Sequence, residues 1–347
     1  MNKSTFILIS ALFLVACERD MPIVEPIEFN PTFINLDIPN GFPLPSLPDD
    51  NPLTNEGIEL GKKLFHDPIL SGNNTMACAD CHFQNKAFSD PVPLSVGIEG
   101  VLGEFNASAI INPAWNTSNF WDGRAITLED QALGPVTSFV ELHSPSWEAV
   151  TKKLMKSPQY RDLFYRAFKA SEIDSTHVVK AIAQFERTLI SADSKFDKFL
   201  RYEAILTPSE LRGKEIFNTE KGDCFHCHSF PLFTSNDFHN NGLDTESDMH
   251  DGRFRISGDI NDKGKFRSPT LRNIELTAPY MHDGRFATLE EVIDHYNFGG
   301  HNSSTIDPLM KKVGIGLGLN DQEKEDLINF LKTLTDSSFV NNPNFQP

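Results

Sequence analysis

Five cysteines in 347 residues leave no room for a disulfide scaffold. Four fall in two short C-x-x-C-H stretches and the fifth is Cys17, so no pair remains for a structural bridge. Positive charge is also short: 31 Lys and Arg stand against 48 Asp and Glu, a formal charge of −17. That balance argues against nucleic acid and against an anionic membrane surface, which both require a basic face. It would favour steering of a basic partner protein. No apolar run reaches the roughly 18 residues of a transmembrane helix; the stretch Phe6–Ala16 has eleven. Sustained period-two alternation is missing as well, which points away from an all-β fold. Tyr (5) and Trp (3) are scarce, whereas Phe (28) is abundant, a bias that suits an apolar cofactor pocket.

The two stretches Cys78-Ala79-Asp80-Cys81-His82 and Cys224-Phe225-His226-Cys227-His228 are the chemical centre of the chain. C-x-x-C-H is the attachment signature of a c-type haem. Two thiols three positions apart on one helical turn reach the two vinyl groups and form thioethers, and the adjacent imidazole falls under the iron as its ligand. Two C-x-x-C pairs would also suit a four-cysteine zinc site or two redox dithiols. A histidine directly after both pairs favours two covalently bound haems c.

In chain order, residues 1–17 read as a lipoprotein signal peptide: Lys3, the short apolar run, then Leu14-Val15-Ala16-Cys17, with Cys17 as the lipidated residue. Residues 18–50, rich in proline, read as a tether. Residues 51–205 and 206–340 read as two haem domains. A helix is expected to start at Thr54-Asn55-Glu56, with Leu60, Leu64 and Phe65 on one face, and another at Thr207-Pro208-Ser209-Glu210. The second domain repeats the first. Gly61-Lys62-Lys63-Leu64-Phe65 before one haem motif matches Gly213-Lys214-Glu215-Ile216-Phe217 before the other. Asp122-Gly123-Arg124 with Thr127-Leu128-Glu129 returns 161 positions later as Asp283-Gly284-Arg285 with Thr288-Leu289-Glu290, and Asn112 meets Asn273 at the same offset. The first copy carries an extra amphipathic stretch from about Ser146 to Tyr202. The expected fold is mainly α, with two cytochrome-c-like haem domains related by internal duplication.

With these motifs in hand, the sequence resembles the bacterial di-haem cytochrome c peroxidases and the related MauG proteins, over about residues 50–335. Its most specific stretch is Phe120-Trp121-Asp122-Gly123-Arg124-Ala125, with Gln131 and Glu141 at successive intervals of ten from Trp121. The resemblance implies that Trp121 lies between the haems and that Gln131 and Glu141 sit over the iron of the His82 haem. A carboxylate in a partly apolar pocket is suited to move a proton between the two oxygens of a peroxide; His143 is a weaker candidate. Thr277-Ala278-Pro279-Tyr280-Met281-His282-Asp283-Gly284 matches the family's T-x-P-Y-x-H-D-G, which implies a calcium ion held by Asn106, Thr277 and Pro279.

Two departures stand out. Many family peroxidases have a histidine in the loop after the first haem motif that caps the resting iron, and Phe83–Phe105 contains none. The His82 haem is therefore expected to be open without prior reduction. The distal ligand of the other haem is a methionine in the peroxidases, fourteen positions after the H-D-G histidine; here that position is Tyr296, as in MauG. Met281 is the alternative ligand and His295 a third. The leading expectation is a peroxidase that reduces hydrogen peroxide with electrons from a small cytochrome c or cupredoxin. MauG-like oxidation of a partner protein and a non-catalytic di-haem electron carrier are the alternatives. Family habit implies a homodimer. Haem attachment and the signal peptide together imply the cell envelope, facing the periplasm, and Glu18 after the lipidated cysteine favours the outer membrane.

Overall fold

The computed structural model describes residues 28–347, so Cys17 and the expected signal peptide lie outside the described residues. Chain order gives α1 (Asn55–His66), α2 (Leu128–Thr137), α3 (Trp147–Lys156), α4 (Pro158–Phe168), α5 (Ser175–Arg187), α6 (Lys195–Leu200) and α7 (Pro208–Phe217), then α8 (Phe254–Ser257), α9 (Leu289–Phe298), α10 (Asp321–Lys332) and α11 (Ser337–Val340). Among the described residues, strand structure is limited to one antiparallel pair, β1 (Phe238–His239) and β2 (Phe266–Arg267). The mainly α fold is as the sequence implies.

Helix starts follow their caps. Thr54 Oγ1 accepts from Gly57 N–H, and Thr127, Thr207 and Thr288 each form a reciprocal box with Asp130, Glu210 and Glu291. Each box satisfies two of the N–H groups that a helix leaves orphaned. The apolar face of α1 buries Leu60, Leu64 and Phe65. The first core gathers Leu60, Val136, Leu154, Phe164 and Ile182; the second gathers Phe196, Phe217, Leu289, Leu327 and Phe330.

The duplication is visible in the packing. Gly61 of α1 lies so close to α5 that a Cβ there would collide with the Ala181 carbonyl, and Gly213 of α7 is in the same relation to Asp326 of α10. Glycine is required at both helix crossings because the backbones touch. Asn112 and Asn273 share the left-handed conformation (φ 53° and 60°), as do Phe120 and Met281 (65° and 75°) and Gly123 and Gly284 (70° and 68°). Short bridges Asn119–Ala125 and Tyr280–Phe286 close the two D-G-R turns.

The modules join by an exchange with the same symmetry. Asn106 N–H donates to His282 O at 2.7 Å, and Arg267 N–H donates to Trp121 O at 2.8 Å. Asn106 and Arg267 are 161 positions apart, as are Trp121 and His282. Phe105 and Phe266, the preceding residues, meet edge to face at 5.9 Å. The chain ends cross over too. Phe42 packs on Trp115, whose Nε1–H donates to Pro43 O at 2.7 Å, so this part of the 18–50 segment lies against the body. Phe339 and Phe345 pack on Phe88 in the first module, and the His66 ring bonds Phe345 O at 2.9 Å.

Candidate functional site: two cavities with a common wall

Each C-x-x-C-H stretch forms a turn of 3₁₀ helix at the edge of a cavity. His82 N–H returns to Cys78 O, and His228 N–H to Cys224 O, both at 3.0 Å. The turn brings both thiols and the imidazole to one side. Cys78, Cys81 and His82 line a cavity of about 280 Å³; Cys224, Cys227 and His228 line a second of about 250 Å³. The four cysteines therefore serve two sites, and a single four-cysteine zinc site is excluded.

The imidazoles are prepared as neutral ligands. His82 Nδ1–H donates to Phe88 O at 2.8 Å; His228 Nδ1 lies 3.1 Å from Pro269 O and 3.2 Å from Phe233 O. Donation at Nδ1 leaves the lone pair on Nε2, as a metal ligand requires. Burial pulls both rings below the usual histidine range, His228 to about 4. Burial also keeps the thiols protonated, with Cys78 pushed up to about 12 and Cys81 to about 11. Apolar walls, paired free thiols and neutral imidazoles fit c-type haem in both cavities.

The first cavity also contains Gln131, from α2, and Glu141, from the turn that follows. Glu141 is set by its backbone: its N–H donates to Ser138 O at 3.1 Å, and its carbonyl accepts from Ile98 N–H at 3.0 Å. The histidine-free loop thus docks against the Glu141 turn. Burial raises the Glu141 carboxyl above the usual range, and a Ser138 hydroxyl contact and the Arg124 charge pull the other way. His143 does not line the cavity; its Nδ1 pairs with Glu99 at 2.9 Å on the outer side. His82 is the only histidine in this wall among the described residues.

Trp121 belongs to the walls of both cavities, together with Asn106 and Arg267. Its Nε1–H donates to Asn106 O at 2.8 Å. The second cavity contains Tyr296 and Met281, and Asn241 Nδ2 reaches the Tyr296 hydroxyl at 3.2 Å and the Met281 sulfur at 3.6 Å. Burial raises the Tyr296 phenol to about 12, against the pull of Asn241. His295 is turned away from the cavity, with Nε2 at 3.2 Å from Asn241 O. Asn106, Thr277 and Pro279 line the same cavity; Asn106 Nδ2 donates to Val92 O and Pro93 O at 3.1 and 3.2 Å, which leaves Oδ1 to accept or to ligate.

The family model for "Di-haem cytochrome c peroxidase" matches residues 55–204. The chain is 38% identical to the methylamine utilization protein MauG of Methylorubrum extorquens, over 83% of this chain and 80% of that protein. It is 36% identical to the cytochrome c551 peroxidase of Nitrosomonas europaea, over 80% and 79% of the two chains. The chain belongs to the di-haem cytochrome c peroxidase family. A solved member, described as a MauG-like protein associated with microbial copper homeostasis, superposes with a TM-score of 0.83 at 38% identity, over 90% of this chain and 99% of that one.

Three residues of this di-haem peroxidase escaped sequence reasoning. Glu186, 5% exposed, lines the first cavity, and burial raises its carboxyl to about 8. It falls four residues after Ile182 and eight after Val178 on the buried face of α5, a periodicity that could have flagged it. Arg267 had the 161-residue offset from Asn106 as its signal. Asn241 had none. Among the described residues, Glu220, Asp223 and His226 form the one acidic and histidine cluster of metal-site dimensions, and Lys311 Nζ already contacts all three.

Proposed function

We propose that the first cavity reduces hydrogen peroxide to two waters, using two protons from solvent and two electrons delivered by a small cytochrome c or copper protein docking on the second module. The observation that carries this reading is Glu141: a buried carboxyl, raised by that burial, in the same wall as His82 and Gln131. The haem, when bound, supplies the iron that holds peroxide and exchanges electrons. The side chains supply the rest. The Glu141 carboxylate accepts the proton from the inner peroxide oxygen and passes it to the outer oxygen, which leaves as water. Gln131 orients the peroxide by hydrogen bonds. Trp121, common to both walls, carries electrons between the cavities.

The loop between Phe83 and Phe105 supplies no capping imidazole, so the first cavity is ready without prior reduction of the second. Tyr296 would be the second protein ligand to the iron of the haem attached at Cys224 and Cys227, with Met281 as the alternative. A phenolate ligand favours the oxidised iron and lowers its potential relative to a thioether. That one feature supports the second reading, MauG-like oxidation of a partner protein. A plain electron carrier has no use for a buried carboxyl in one cavity. Asn106 Oδ1 with the Thr277 and Pro279 carbonyls makes a hard-oxygen set suited to calcium. Lipidation at Cys17, an outer-membrane, periplasm-facing location and a homodimer complete the reading, as do domain limits near 51–205 and 206–340. Among the described residues no helix is long and apolar enough to cross a membrane.

The test is stoichiometric peroxide added to the fully oxidised protein, followed by reduced small cytochrome c. Rapid, repeated oxidation of the cytochrome is expected. A long-lived oxidised spectrum with little turnover favours partner oxidation, and no reaction even after the second haem is reduced leaves the carrier.

A further inference from the structure

One cation at the module junction has no anion. Arg267 is 8% exposed; its Nη1 donates to Asn236 Oδ1 at 3.2 Å, and its Nε is buried without a partner. Among the described residues no carboxylate comes within ion-pair distance of it. Arg272, five residues later, shows how this fold completes a buried guanidinium. It is 0% exposed, and its two Nη atoms bond Asp197 at 2.8 and 3.0 Å while Pro231 O accepts as well. Burial alone lowers Arg267, to about 10, which still leaves it charged at neutral pH. A desolvated charge without a counter-charge is strongly destabilising. The missing partner is therefore an anion, and one that arrives with whatever fills the cavities, because Arg267 lines both.

The propionate carboxylates are the anionic side groups of a haem, and guanidinium is matched to carboxylate in geometry and charge. We propose that Arg267 is a shared counter-ion for the propionates of both haems. The pseudo-symmetry sharpens the point. Its equivalent in the first module is the neutral Asn106, whose amide is engaged by Val92 O and Pro93 O. The duplication thus places a guanidinium at only one of these two equivalent positions. Asn236 holds the guanidinium in place, since its own Nδ2 donates to Trp115 O at 3.1 Å.

A positive charge beside the propionates stabilises the reduced form of each iron, so one substitution acts on both. The proposal rests on haem in both cavities and not on peroxide as substrate, so its outcome is separable from the turnover experiment. The test uses holoproteins of R267Q and R267K, with K265Q as a control on a cation that already pairs with Asp262. Midpoint potentials of both haems are measured by spectroelectrochemistry across neutral pH, and the propionate bending bands by resonance Raman. In R267Q both potentials fall and become more dependent on pH, as unopposed propionates titrate. In R267K the charge stays, so the potentials move less, but the propionate bands of both haems shift because the planar fork is lost. K265Q changes neither. Unchanged potentials in R267Q, or a change confined to one haem, overturns the proposal. If R267Q does not mature with two haems, unshifted propionate bands in R267K overturn it equally.

Discussion

Replacing Glu141 by glutamine isolates the proton-transfer step, because E141Q keeps the shape of the side chain and removes its basicity. The backbone that sets the residue, Glu141 N–H to Ser138 O and Ile98 N–H to Glu141 O, is untouched by the change. A positioned general acid–base contributes about 10²–10⁴-fold, or roughly 3–5 kcal/mol of barrier, so donor oxidation at saturating peroxide falls by that factor. Burial raises the carboxyl, and the proton-accepting form is the carboxylate. The wild-type rate therefore falls as pH drops through the raised value, and E141Q lacks this acid limb. Stability has the opposite sign. A carboxyl with a raised folded pKa contributes most below its unfolded pKa, and that contribution is lost as pH rises through the folded value. E141Q is consequently at least as stable as wild type at neutral pH, so loss of rate is not loss of fold. The assay is stopped-flow oxidation of reduced cytochrome c, with melting by calorimetry on the same samples. A variant that keeps more than about a tenth of the rate, with the acid limb intact, refutes the assignment.

The remaining expectations test other parts of the molecule. Glu186 shifts from 4.5 to about 8, so its contribution to stability declines between those pH values and is gone above them; E186Q flattens the melting curve across that window, at up to about 1.4 kcal/mol per pH unit. Removing Asp197 leaves Arg272, 0% exposed, as an unpaired buried charge. D197A should cost about 3–5 kcal/mol, and calorimetry showing less than about 1 kcal/mol of loss contradicts the argument. W121F loses the indole bond to Asn106 O, worth roughly 1 kcal/mol, and slows donor turnover far more than it lowers the melting point; equal turnover removes Trp121 from the electron path. Chelation should lower the melting temperature, by about 2.7 kcal/mol of stability if calcium was present at a hundred times its dissociation constant. In N106A the chelator should have little further effect, and a wild type indifferent to chelator ends the calcium proposal.

The legible parts of the site are the ones written within a few residues. Thioether formation needs two thiols and an imidazole at fixed short spacing, and Cys78–His82 and Cys224–His228 state it outright. Helix starts were equally local: Thr54 and Thr207 cap the helices expected of them because a capping bond spans only three residues. The repeat of D-G-R at 161 positions was readable because both copies need the same left-handed glycine, Gly123 and Gly284. Met281 shows the limit. Its backbone is the counterpart of Phe120, and its sulfur lies within reach of the amide that also meets Tyr296. The family resemblance put Tyr296 forward as the ligand with Met281 as its alternative, and it had no way to bring in Asn241.

What remained for tertiary structure was everything that depends on desolvation or on two distant segments meeting. Glu186 and Glu141 are ordinary glutamates in the chain, and burial is the main cause of their raised pKa values. The exchanged bonds Asn106–His282 and Arg267–Trp121 join residues more than a hundred positions apart, through backbone atoms that carry no sequence signature. The repeat offset could mark the position of Arg267, but its missing partner shows only once its neighbours are known, because the same residue is a solvated cation on a surface and an incomplete ion pair in an interior. The chain thus specifies its cofactor chemistry through local covalent spacing. Its electrostatics and the common wall between the cavities arise from packing, where dielectric and partner are properties of the whole fold.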